Sequence, residues 1–196
     1  DPNLRAAIAR SLGLPVTLGY DGNLLAHGTL FASDLFRITS LDASRLGITD
    51  LRGLRFLVNL DSLNLSGNTI GSVNGLGELV PGTDSVTGMA VGLTRLRYFT
   101  MDANTGTADI SALADGQISG SLLAVSLDMD SFEGTSYFTV VIEGMNRLVF
   151  LSLNHTTPAV VGSLAQKTTS STAVTASDGH TDTLPANTLI LSAGNN

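Results

Sequence analysis

Three histidines and a scatter of carboxylates are the side chains of this 196-residue chain that could do proton, metal or nucleophile chemistry. Asp102 and Asp128, with Asn154 following, recur at a constant interval. At equivalent positions of adjacent strands, two such carboxylates could share a calcium ion or meet a basic group of a partner. The plainer alternative is a solvated acidic stripe. Asp128, Asp130 and Glu133 carry part of a calcium-loop spacing without the full pattern. Asp178-Gly-His180-Thr-Asp182 could hold a metal ion, but it lies in a Ser/Thr-rich, nearly uncharged stretch, 168–183, that reads as a flexible or glycan-bearing surface loop. No metal or cofactor is therefore expected, with Asp102 and Asp128 the residual candidates. Nucleophilic and phosphoryl chemistry find no support: G-x-S-x-G, H-E-x-x-H and a glycine-rich phosphate loop are all missing. His27, His155 and His180 are scattered, although His155 falls near Asp128 in the repeat described below. A Ser–His–Asp set is defined by geometry rather than by spacing. An enzyme is not expected.

Composition narrows the partners. The formal net charge is −7, from 17 acidic and 10 basic residues, and Lys167 is the single lysine. There is no basic stripe to attract a phosphate backbone or an anionic membrane. There is no cysteine, hence neither a disulfide nor a thiolate zinc site. With 43% hydrophobic residues the chain is too apolar to stay disordered, and with 5% aromatics and no Trp its core must be built from Leu, Val, Ile and Ala. No apolar run is long enough to span a bilayer, and no signal peptide is present. The first residue is Asp1 rather than Met, as expected of a processed product or a fragment.

The elements that must position any site are set by an internal repeat. At an offset of 22 residues, Ile38 matches Leu60, Leu41 matches Leu63, Ala43 matches Leu65, Ile48 matches Ile70, Leu51 matches Val73, Leu54 matches Leu76 and Leu57 matches Leu79. At 43% apolar composition, chance gives about 10⁻⁵ per register for seven such pairs. Leu60, Leu63, Leu65 and Asn68 fit L-x-x-L-x-L-x-x-N. The alternating part predicts a short strand with Leu63 and Leu65 inward. Asn68 falls where the chain turns away, and a buried asparagine there can bond backbone groups of its own and adjacent coils. The pattern returns at Leu96, Phe99, Met101 and Asn104, at Leu122, Val125, Leu127 and Asp130, at Leu148, Leu151, Leu153 and Thr156, and weakly at Thr188, Leu191, Ala193 and Asn196. Turn positions 46, 68, 104, 130, 156 and 196 are unevenly spaced, so the later coils are enlarged by insertions.

ITSLDASRLGITDLRGLRFLVNLDSLNLSGNTI, residues 38–70, resembles the repeats of bacterial internalin-type leucine-rich-repeat proteins. DPNLRAAIARSLG, residues 1–13, is similar to the N-terminal helical cap of secreted members, and LFASDLFRI, residues 30–38, to the segment that leads into the first repeat. GLTRLRYFTMDAN, residues 92–104, resembles the usual loop, strand and turn; beyond 120 the resemblance rests on spacing. The resemblance implies an α/β leucine-rich-repeat solenoid, a horseshoe with a parallel β-sheet on its concave face. It also implies a secreted or cell-surface location and a protein-binding rather than catalytic role. The cap also follows from the residues. Asp1 can N-cap a helix that Pro2 begins, Leu4, Ala7, Ile8 and Leu12 form one apolar stripe, and Gly13 and Pro15 end it. The expected organisation is a helical cap over 1–37 and a solenoid over 38–196, continuous as one domain. The repeats depart from the family's regularity, and no C-terminal cap is visible before Asn196. That end is expected to be covered by further sequence, another domain or a second copy.

Outward residues at equivalent strand positions should form columns. One runs Thr39, Asp61, Arg97, Leu123, Val149, Leu189 and its neighbour Ser40, Ser62, Tyr98, Ala124, Phe150, Ile190. The face is thus polar at first and apolar later, with Leu123, Val149, Phe150, Leu189 and Ile190 together and Tyr98 and Met129 flanking them. Such a patch marks an interaction site, anchored here by Tyr98 and Phe150, unless inserted loops fold back and bury it as core. Two functions follow: an extracellular recognition module for a protein or glycan partner, or a subunit of a filament that stacks head-to-tail through the open end. Asn64-Leu-Ser66 and Asn154-His-Thr156 match the N-glycosylation triplet, a match short enough for coincidence.

Overall fold

The computed structural model describes residues 1–70, 76–105, 112–113, 116–128, 145, 147–154, 172–175, 181–184 and 190–194. Helix α1 (Pro2–Ser11) opens the chain. Asp1 fixes its start: Oδ1 accepts from the backbone N–H of Asn3 at 2.8 Å and of Leu4 at 3.0 Å, satisfying two of the donors every helix leaves open. The other carboxylate oxygen accepts from Thr49 N–H at 3.0 Å, so the same residue ties the helix to the first repeat. Leu4, Ala7 and Ile8 are buried, and Leu12 packs against the same core half-buried.

The segment expected as the helical cap, 1–37, holds two strands besides its helices. Between α1 and the repeats lie two antiparallel strands, β1 (Val16–Leu18) and β2 (Leu24–Ala26), then a one-turn helix, α2 (Ala32–Leu35). The ribbon is exposed on most of its surface, which is why no clean apolar alternation announces it. Its turn is set by Asp21, whose carboxylate accepts from Asn23 N–H at 3.0 Å. Buried Asn3 docks it on α1 by accepting from Leu24 N–H at 2.8 Å.

Strand β3 (Ser40–Asp42) and strand β4 (Ser62–Asn64) follow, then a small antiparallel pair, β5 (Gly82–Thr83) with β6 (Ala90–Val91). Next come β7 (Tyr98–Met101), a one-turn helix α3 (Gly116–Ser119), β8 (Ala124–Asp128) and β9 (Phe150–Asn154). A further antiparallel pair, β10 (Thr172–Thr175) with β11 (Thr181–Leu184), precedes β12 (Ile190–Gly194). Among the described residues, six strands form one parallel sheet in the order β12-β9-β8-β7-β4-β3. This is the α/β leucine-rich-repeat arrangement that the repeat pattern predicts.

The register follows the apolar pattern residue for residue. Leu41, Leu63, Phe99, Val125 and Leu151 lie side by side in successive strands and are all buried. One strand of three residues cannot shelter its own leucine; a neighbour on each side does. Ile48, Leu51, Leu54, Leu57 and Leu60 close the first coil from the far side with no measurable exposure, and Ile70, Leu76 and Leu79 repeat this in the second. Val73 lies outside the described residues.

Asn68 is the hinge of the repeat. Its amide donates to the carbonyls of Ala43 at 2.9 Å and Leu65 at 2.7 Å, and its Oδ1 accepts from Leu46 N–H at 3.1 Å and Ile48 N–H at 3.0 Å. Asn104 Oδ1 in turn accepts from Asn68 N–H at 3.1 Å. A ladder of buried amides therefore satisfies backbone groups that the turning chain takes out of water.

Candidate functional site

The outward side of β7, β8 and β9 carries two rows, two residues apart along the strand and so ~6.6 Å from one another. The first row is Tyr98, Ala124, Phe150, the second Thr100, Ser126, Ser152. Asp102 lies just beyond β7, and Asp128 and Asn154 end β8 and β9 in register with one another. Tyr98 and Phe150 are 44% and 42% exposed, unusual for aromatics on a sheet. They stand two strands apart, ~9.6 Å, with the methyl group of Ala124 between them. Ala124, the smallest of the three, makes this row a gap between two aromatic positions.

The charges around the gap are arranged rather than scattered. The Arg97 guanidinium hydrogen-bonds the Asp61 carboxylate on the neighbouring strand, which holds the arginine's pKa above its ordinary value. Its Cζ lies 5.6 Å from the Tyr98 ring centroid, within cation–π range. Asp102 accepts from Ser126 Oγ at 2.7 Å, and its own N–H donates to Ser66 Oγ at 3.1 Å. These bonds give Asp102 partners without a cation. Among the described residues no three His, Cys, Asp or Glu side chains gather as metal ligands.

The expected anchors thus fall where the columns put them. Leu123 and Val149 also fall in their column, but half-buried rather than exposed; each backbone N–H bonds the preceding strand's carbonyl, Leu123 to Arg97 and Val149 to Leu123, both at 2.8 Å. Ile190 opens β12 opposite Phe150. Leu189, Met129, Asp130, Glu133, His155, Asp178 and His180 lie outside the described residues. His27 Nε2 hydrogen-bonds the Thr17 hydroxyl across the exposed β1–β2 ribbon at 2.7 Å.

Two features escape the sequence reading. The hydroxyl row Thr100, Ser126, Ser152 is visible in the columns once register is known, but small polar residues give no signal alone. A cavity of about 200 Å³ also opens between α2 and the β5–β6 segment, lined by Ala32, Leu35, Phe36, Phe56, Thr87, Met89 and Ala90. Three segments distant in sequence build it, and no charged side chain lines it.

Among solved structures, the chain is similar to an internalin (inlF) and to internalin C2 (inlC2), both from Listeria monocytogenes. Against the first it has 19% identity and a TM-score of 0.51 over 84% of its length. Against the second it has 19% identity and a TM-score of 0.51 over 86%. It spans about half of the first protein's resolved chain, 47%, and 72% of the second's. No family model and no curated protein matches it. The fold is that of internalin-type leucine-rich-repeat proteins.

Proposed function

We propose that this chain is a non-catalytic recognition module, secreted or displayed at a cell surface, that binds a protein through the outward face of its parallel sheet. The cap over 1–37 and the repeats over 38–196 are read as one domain that holds this face rigid. The observation that carries the reading is the pair Tyr98 and Phe150, both exposed and set on either side of Ala124. Aromatics are costly to leave in water, and rigid aromatics flanking a pocket are what dominates binding energy at protein interfaces. The residues around them are a hydroxyl row and a neutralised ion pair, a polar rim about an apolar centre.

The internalin fold supports the reading as a scaffold. Among the described residues, no helix is long and apolar enough to cross a membrane.

The test is a partner screen against extracellular proteins with the native chain and the Tyr98→Ala/Phe150→Ala variant side by side. A partner held by the native chain should lose at least 10-fold in affinity with the variant, whose melting temperature should stay within a few degrees because both side chains are exposed. Equal affinity for both chains would place the interface elsewhere.

A further inference from the structure

We infer that the β7–β9 face takes an extended segment of its protein partner, one that seats an apolar side chain over Ala124 and carries a basic side chain about 13 Å farther along, toward Asp102. This rests on the reading of the face as a protein-binding surface and adds the shape and charge of what it binds.

The shape follows from the gap. The strands that carry its two aromatics are ~9.6 Å apart, less than the ~10–12 Å diameter of a helix with its side chains. A helix would ride on the rings and leave Ala124 uncovered; a single side chain from an extended backbone can enter. The charge follows from the rows. From Tyr98 to Asp102 the face passes from apolar through hydroxyl to acidic in four residues, ~13 Å of strand. Arg97, the cation beside the Tyr98 ring, is already paired with Asp61. Asp42 adds an exposed carboxylate on the same side of β3, and the whole chain carries −7. Ser126 orients the Asp102 carboxylate, and a carboxylate accepts from up to about four donors, so an ammonium or guanidinium can join the bonds it already makes. Four extended residues also cover ~13 Å, so the apolar and basic side chains should stand four apart in the partner's sequence.

The experiment selects a random peptide library on the full chain, then measures enriched peptides by fluorescence anisotropy at low and high salt. The native chain is compared with Tyr98→Ala/Phe150→Ala, Ala124→Leu and Asp102→Asn. Asp102→Asn keeps an oxygen for Ser126 and loses only the charge. Ala124→Leu fills the gap and leaves both rings in place. The expected result is enrichment of peptides with an apolar residue and a Lys or Arg four positions away. Their affinity should fall at least 10-fold with the aromatic double variant and with Ala124→Leu. With Asp102→Asn it should fall about 3- to 10-fold and lose most of its salt dependence. Peptides that need the aromatics but carry no basic residue, and that bind Asp102→Asn unchanged, would overturn this inference and leave the protein-binding face standing. No peptide dependent on the aromatics, or aromatic-dependent binding of oligosaccharides on a glycan array in place of peptides, would overturn both.

Discussion

Arg45, Gly67 and Ala103 each precede the turn position of a repeat, and all three have positive φ, 55°, 69° and 51°. The backbone must enter the left-handed region there to leave the sheet, and glycine alone enters it without a steric cost. Gly67-Asn68 is legible as a turn, and so is the buried role of Asn68, because an amide at that spacing has one useful place to go. Arg45 and Ala103 give no such warning: a residue with a Cβ carries no mark of strained φ. Replacing Ala103 by glycine should therefore raise stability by roughly 0.5–1 kcal/mol, the relief of strain exceeding the added freedom of the unfolded chain. Gly67→Ala should do the reverse by about 1–2 kcal/mol, since its new Cβ would also lie 2.8 Å from Arg45 Cγ. Urea midpoints of the two variants measure this. An unchanged midpoint for Ala103→Gly would mean that the turn holds its shape without strain.

The strands of the parallel sheet were legible element by element, since each inward row demands an apolar residue at one fixed place. Leu41, Leu63 and Phe99 do lie in adjacent strands. The β1–β2 ribbon was not, because its residues are half-buried or exposed. The interval between β4 and β7 is long in sequence, but nothing in its composition says that it folds as β5 and β6. Two local devices make it do so. Gly92 passes so near the preceding segment that a Cβ there would lie 2.4 Å from the carbonyl oxygen of Val80. At the tip, the Asp84 carboxylate accepts from Thr87 N–H and Thr87 Oγ1, each at 2.8 Å, and from Val86 N–H at 3.2 Å. The Thr87 N–H bond, first among these, holds the Asp84 pKa below its ordinary 3.8. A carboxyl whose folded pKa is depressed stabilises fully above its unfolded value and loses that contribution as pH falls through the lowered one. The tip should thus be firm at neutral pH and loosen below about pH 4. Hydrogen-exchange protection of the Val86 and Thr87 amides should drop over that range, and Asp84→Asn should flatten the response. Equal protection at pH 6 and pH 3 in the native chain would remove Asp84 from this role.

At the scale of the molecule, stability runs along one axis. Among the described residues, each strand of the sheet is hydrogen-bonded to the strands beside it, and α1 lies against the β3 end, where Leu4, Ala7 and Ile8 join the same core as Leu41 and Ile48. In such a stack a local loss propagates through interfaces and fades with each one. The candidate site on β7–β9 lies on the far side of β4 and β3 from the cap. Truncating Leu4, which is 2% exposed, should cost about 2–5 kcal/mol as a core cavity, and that cost should fall unevenly. Amides of β3 should lose most of their hydrogen-exchange protection in Leu4→Ala, those of β4 less, and those of β7 and β8 little. Binding through Tyr98 and Phe150 should then persist under conditions in which the cap end already opens. The gradient separates this architecture from a globular domain with one shared core, where the same truncation would lower protection in all strands alike. A uniform loss from β3 to β8 would mean that the repeats fold as a single cooperative unit, and the cap would then set the stability of the binding face directly.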